Sequence, residues 1–166
     1  MTRESTPEEA ALNAARAAAT LSEALDLEAQ LEPYAHLRWS GPDPQVPVLR
    51  LDDFSGIPFL VDITGVEEYQ HRARLRANPE DLYAAVTPAT FGYEPYCQRN
   101  LQLAPVELLE VSPVDNQLAL ARACSEGEAR DRVLRHVAAR GSLTIDPFMG
   151  IEEVWELADS LSHESK

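Results

Sequence analysis

The chain has 166 residues, 45% of them hydrophobic, and 14 Lys+Arg stand against 28 Asp+Glu for a formal net charge of −14. That length and composition fit one domain with a packed core, and 7 Gly with 12 Pro exclude a collagen-like or low-complexity chain. A field of this sign repels phosphate backbones and anionic lipid, so neither a nucleic acid nor a membrane is expected as a partner.

Residues 5 to 33 read as one helix. Thr6 can cap it, Pro7 stands at the first helical position, Glu9 completes a capping box, and alanines and leucines fill the rest. Its thin stripe of Leu12, Ala15, Ala19, Leu21, Leu25 and Leu31 suits a peripheral helix on its own domain or a helix offered to a partner's groove. Residues 34 to 47, with Pro42, Pro44 and Pro47 beside Gly41, read as a proline-rich connection. Residues 48 to 166 then form a single α/β domain. It opens with two apolar runs, Val48 to Leu51 and Ile57 to Ile63, separated by loop-type residues, which predicts a β-hairpin. Val66 to Ala77 has helical spacing and breaks at Asn78-Pro79.

Beyond that break strands and helices alternate three times. Leu82 to Thr87, Val106 to Ser112 and Leu143 to Asp146 read as strands. Thr90 to Leu103, Val114 to Arg140 and Ile151 to Leu161 read as helices, the last with Trp155 in its buried stripe. Nearly continuous apolar strands in this alternation predict βαβ units, hence a Rossmann-like three-layer α/β domain with a mostly parallel sheet.

In such a sheet ligands bind beyond the carboxyl ends of the strands. Each predicted strand end is followed by proline, at Thr87-Pro88, Ser112-Pro113 and Asp146-Pro147. The prolines act as strand terminators, or they turn loops around a crevice lined by Thr87, Thr90, Ser112, Asp115, Asp146 and Phe148. A small acid is the expected occupant, because helices starting after the strands aim their amino ends there, and Asp146 would orient an amine or hydroxyl. Basic residues concentrate in two helical stretches. Arg72 with Arg76, and Arg132 with Arg135, share a face and would suit a carboxylate or phosphate, or they are solvated and paired with nearby acids.

Several chemistries lack their signatures. No glycine-rich phosphate loop follows a strand, and the four histidines have no metal-ligand spacing. No nucleophile elbow or Cys/His signature is present, and Cys97 and Cys124 read as reduced thiols. The only lysine is Lys166, so no interior ammonium is available for a P-loop or a Schiff base. MTREST lacks a basic stretch before an apolar run, and no segment approaches 18 apolar residues, so a cytoplasmic location is expected.

The stretch from Asp81-Leu82-Tyr83-Ala84-Ala85-Val86 through Tyr93 and Tyr96, VELLEV and a long arginine-dotted helix to SLTIDPFMGIEEVWELADSL resembles the pre-ATP-grasp domain of carboxylate–amine ligases. The closing strand-Pro-aromatic-x-x-x-Glu-x-x-x-x-Leu-Ala pattern carries most of the likeness, which spans roughly half of the chain, at its C-terminal end. The resemblance implies a Rossmann-like domain that packs on an ATP-grasp module and shapes the substrate side of its active site. ATP and magnesium belong to that module, which has no counterpart here, so no cofactor is expected on this chain. The expected function is a stand-alone or split pre-ATP-grasp-like domain, not catalytic alone, with an ATP-grasp module as protein partner. The alternative is a small acidic interaction or inhibitor protein that caps a basic protein's surface.

Overall fold

The computed structural model describes residues 6–26, 29–30, 32–34 and 45–164, and the chain divides into two compact units, Met1–Trp39 and Ser40–Lys166. Most of the proline-rich connection expected over 34 to 47 lies outside the described residues.

In the first unit, α1 runs Pro7–Ala24. The capping box forms as the sequence predicts: Thr6 Oγ1 accepts from the Glu9 amide at 3.2 Å, and Glu9 Oε2 accepts from the Thr6 amide at 2.9 Å. The helix does not continue to residue 33. Asp26 takes a left-handed conformation, φ 49°, which stops the helical ladder, and Glu23 and Asp26 crowd the negative end of the helix dipole. Leu12, Leu21 and Leu25 are exposed.

The second unit is built on a four-stranded, all-parallel sheet of β1 (Val48–Leu51), β2 (Leu82–Ala85), β3 (Glu107–Glu110) and β4 (Thr144–Pro147), in the order β3-β2-β1-β4. The register sets Arg50 beside Tyr83 on one side and Asp146 on the other. Leu49, Leu51, Leu82, Ala84, Leu109 and Val111 alternate onto one face. They meet α3 (Leu120–Cys124), α4 (Gly127–Arg140) and α5 (Glu152–Glu164) in the main core. Burying these aliphatic side chains is the main drive for folding, at about 25 cal/mol per Å² of apolar surface. A 3-10 segment, Val66–Arg76, packs on the opposite face against β1 and β2, and α2 (Tyr93–Asn100) is tied to that segment by hydrogen bonds. The three-layer, Rossmann-like α/β architecture predicted from the sequence is thus observed.

Besides the shorter α1 and the 3-10 rather than α-helical path of Val66–Arg76, three further expectations are corrected. The β-hairpin is absent, because β1 pairs on both sides with parallel strands and Ile57–Ile63 turns away from the sheet as a 3-10 turn over Pro58–Asp62. Pro58 has no amide to donate to a ladder, and the Asp53 carboxylate accepts from the Ser55 amide, which bends the chain before a second strand can start. The helix expected over Val114 to Arg140 is split. Asp115 is left-handed, φ 63°, and Asn116 Oδ1 accepts from the Leu118 amide, so regular helix begins only at Leu120. On α5 the buried residues are Val154, Leu157 and Leu161, which leaves Trp155 half-buried at the flank of the stripe.

Candidate functional site

The strand order reverses between β1 and β4. β2 and β3 extend the sheet on one side of β1 and β4 returns to the other, so the switch point lies beyond Leu51 and Pro147. The chain gathers charge and aromatic surface there.

Asp52, the first residue past β1, is fully buried. Its Oδ1 accepts from Arg76 Nη2 at 2.7 Å, and its Oδ2 lies 3.5 Å from Arg72 Nε. Both guanidinium groups remain open to solvent on another edge, with side chains 47% exposed at Arg72 and 42% at Arg76. The Arg72 guanidinium stands 5.4 Å from the Phe54 ring centre, 5.1 Å from Phe148 and 5.8 Å from Tyr69. Phe54 and Phe148 stack obliquely at 4.9 Å. Cation–π contact and a buried carboxylate therefore fix Arg72 in place while part of its donor fork stays free.

Asp146 joins this cluster through one oxygen. Oδ2 accepts from Arg50 Nη1 at 2.7 Å and lies 3.7 Å from Arg76 Nη2. Arg50 is held from the other side by Asp81, which also accepts from the Val48 and Asn78 amides. The loops after β1 and β4 touch at Gly56, where a Cβ would lie 2.8 Å from Ile151 Cγ2. Only glycine lets them close to that distance.

The 3-10 pitch explains which residues meet. At three residues per turn, Tyr69, Arg72 and Leu75 line one exposed ridge, while Gln70 with Ala73 and His71 with Arg74 are buried. Arg74 makes a bidentate pair with Glu94, at 2.7 and 2.8 Å, and donates to the Ala104 carbonyl. That partner holds the Glu94 carboxyl below its usual range. Gln70 bridges the Gln117 carbonyl and the Val86 amide, and the Tyr93 hydroxyl donates to the His71 carbonyl. Burial lowers the pKa of His71 and raises that of Tyr83 to about 12.

The sequence-predicted site residues fall into two groups. Arg72, Arg76, Asp146 and Phe148 meet at the switch point. The others stand apart from that cluster. The Thr87 hydroxyl is buried at the end of β2, Thr90 and Ser112 are exposed, and Asp115 pairs with Arg122. Arg132 bonds Glu107 and the Leu108 carbonyl at the β3 edge, and Arg135 is exposed on α4. The buried Asp53 carboxylate accepts from the Ala121 amide at 2.8 Å, so the start of α3 is occupied by the chain's own acid.

Sequence reasoning missed Asp52, Asp53, Phe54, Arg50 and Tyr69. The available signal was the Asp-Asp pair directly after an apolar run, which the hairpin prediction absorbed into a turn. Among the described residues no cluster of three or more His, Cys, Asp or Glu is placed to hold a metal ion, and no helix is long and apolar enough to cross a membrane. Comparisons with protein families, curated proteins and solved structures find no match for this chain.

Proposed function

We propose that this α/β domain binds a small amino or hydroxy acid at the β1/β4 switch point, as an accessory domain of the pre-ATP-grasp kind that works with an ATP-grasp partner rather than as a catalyst alone. One observation carries the reading: a buried carboxylate, Asp52, holds Arg72 and Arg76 side by side with part of each guanidinium open to solvent. Two such forks suit a planar carboxylate. Asp146, engaged through Oδ2 alone among the described residues, offers Oδ1 to an amine or hydroxyl of the same ligand. Phe54, Phe148 and Tyr69 supply apolar walls.

Calorimetric titration with a panel of amino and hydroxy acids tests this. Saturable binding that disappears in the Arg72→Ala/Arg76→Ala double variant is expected, with no binding of Mg-ATP. Failure of every acid to bind the intact protein, or micromolar affinity for Mg-ATP, overturns the reading.

A second reading, an acidic interaction protein that caps a basic partner, draws on exposed apolar side chains in the loops after β1 and β2: Phe59, Val61, Ile63 and Phe91. Co-purification from the native host separates the two readings by whether the partner is an ATP-grasp protein or a basic one.

A further inference from the structure

The ion pairs at the switch point form one balanced cluster. Arg50 bridges Asp81 and Asp146, Arg72 and Arg76 share Asp52, and Arg76 Nη2 stands 3.7 Å from Asp146 Oδ2, so three guanidinium groups face three carboxylates. Asp52 engages Nε and Nη2 of Arg72 and Nη2 of Arg76, which leaves the rest of each fork for a ligand. Asp146 Oδ1 has no partner among the described residues. Donors and an acceptor thus stand side by side, each with capacity to spare.

That balance selects among acids. A hydroxy acid brings only a negative charge to a balanced cluster in a chain of formal charge −14, whereas an amino acid brings its own cation. An ammonium also makes a charge-assisted bond to a carboxylate from both sides, stronger than the bond from a hydroxyl. The 3.7 Å between Arg76 Nη2 and Asp146 Oδ2 sets the anion and cation positions next to each other, which suits a carboxylate and an ammonium carried on one carbon. The side chain of such a ligand meets rings. Phe148 and Tyr69 stand 5.1 and 5.8 Å from the Arg72 guanidinium and are 44% and 59% exposed, and buried Phe54 backs Phe148 at 4.9 Å. Exposed aromatic surface beside a fixed cation favours another ring, through offset or edge-to-face stacking and cation–π contact.

We propose that the switch-point site is specific for an α-amino acid with an aromatic side chain, its carboxylate on Arg72 and Arg76, its ammonium on Asp146 Oδ1 and its ring against Tyr69 and Phe148. This rests on the small-acid reading above and narrows it. Tyr69 and Phe148 are then the specificity-determining residues, contributed by the exposed 3-10 ridge and by the residue just past β4.

Calorimetric titration of the full chain with four ligands tests it: L-phenylalanine, L-alanine without the ring, L-cyclohexylalanine with a saturated ring, and L-3-phenyllactate with a hydroxyl in place of the amine. Phenylalanine should bind roughly tenfold more tightly than alanine and phenyllactate, and roughly threefold more tightly than cyclohexylalanine. Tyr69→Leu and Phe148→Leu should each reduce the preference over alanine and cyclohexylalanine, and Asp146→Asn the preference over phenyllactate. Should Phe148→Leu fail to fold, Tyr69→Leu, at an exposed position, decides for the ring alone. Equal affinity for phenylalanine and any of the other three, with binding still lost in Arg72→Ala/Arg76→Ala, overturns the specificity and leaves the arginine site standing. A preference that survives its variants undiminished overturns it as well. If all four fail to bind while another acid of the panel binds, the specificity alone falls, and if no acid binds, both proposals fall.

Discussion

Fully buried Arg74 is matched to Glu94 and to the Ala104 carbonyl, and removing the partner's charge leaves a cation that water cannot reach. Glu94→Gln should therefore lower stability by about 2–3 kcal/mol, at the low side for breaking a buried pair because Glu94 is one-third exposed; urea denaturation measures it. His71 adds a pH dependence at the same face. Burial between Tyr83 and Tyr93, only partly offset by the Thr87 main chain and the Glu68 charge, puts its folded pKa below the ordinary 6.5. The unfolded chain thus takes up the proton first, and the contribution is complete above about pH 7 and falls as pH drops from about 6.5 toward the folded pKa. Thermal midpoints measured from pH 8 to pH 5 should decline over that window, and His71→Phe should flatten the decline. A slope unchanged in that variant would assign the effect to other groups. Glu94, held low by Arg74, adds a separate loss only in stronger acid. None of these contacts was legible in the sequence. The spacing of Arg72 and Arg76 suggested an α-helical face, whereas the 3-10 pitch is what buries His71 and Arg74 together.

At the scale of elements, Asp53 joins the end of β1 to the start of α3. Its buried carboxylate accepts from the Ser55 amide and hydroxyl, at 2.8 and 2.6 Å, and from the Ala121 amide, at 2.8 Å. Asp53→Ala leaves three donors without their acceptor and should cost about 2–4 kcal/mol, with Asp53→Asn recovering part of it; denaturant titration of both variants checks the order. On α5, Leu157 is fully buried and Trp155 lies at the flank, so Leu157→Ala should destabilise by about 2–5 kcal/mol and Trp155→Ala by less, the reverse of what side-chain size alone suggests. The alternation of strands and helices was legible because apolar runs of four to six residues bounded by proline leave few alternatives to buried parallel strands. The hairpin and the long helices were not. They failed where a local carboxylate or a left-handed residue decided the path, at Asp53, Asp115 and Asp26, and such choices depend on partners distant in sequence. Four of the ten residues singled out in the sequence meet in the candidate cluster, two of them for a related reason. Asp146, near the end of the β4 ladder, and Phe148, just past it, lie at a strand end that any parallel sheet places at its ligand edge, while Asp52 became visible as a candidate site residue only once β1 proved central.

At the scale of the molecule, the division of the chain at Trp39 and Ser40 bears on which part carries function. The sheet, the main core cluster, the Arg74–Glu94 pair and the arginine–aromatic cluster all lie within Ser40–Lys166. α1, with exposed leucines and many alanines, buries little apolar surface of its own, and an isolated helix of 18 residues is marginal in water. Residues 40–166 should therefore fold without the preceding segment. The truncated protein is expected to melt in one cooperative transition within a few degrees of the full chain and to bind the same acids with unchanged affinity. A peptide of residues 1–39 should show only partial helicity by circular dichroism, decreasing smoothly on heating with no cooperative step. If the truncated protein is insoluble or loses its cooperative transition, the N-terminal helix is part of the folding unit. If it folds but no longer binds, that helix contributes to the site, and the arginines at the switch point do not suffice to hold the ligand.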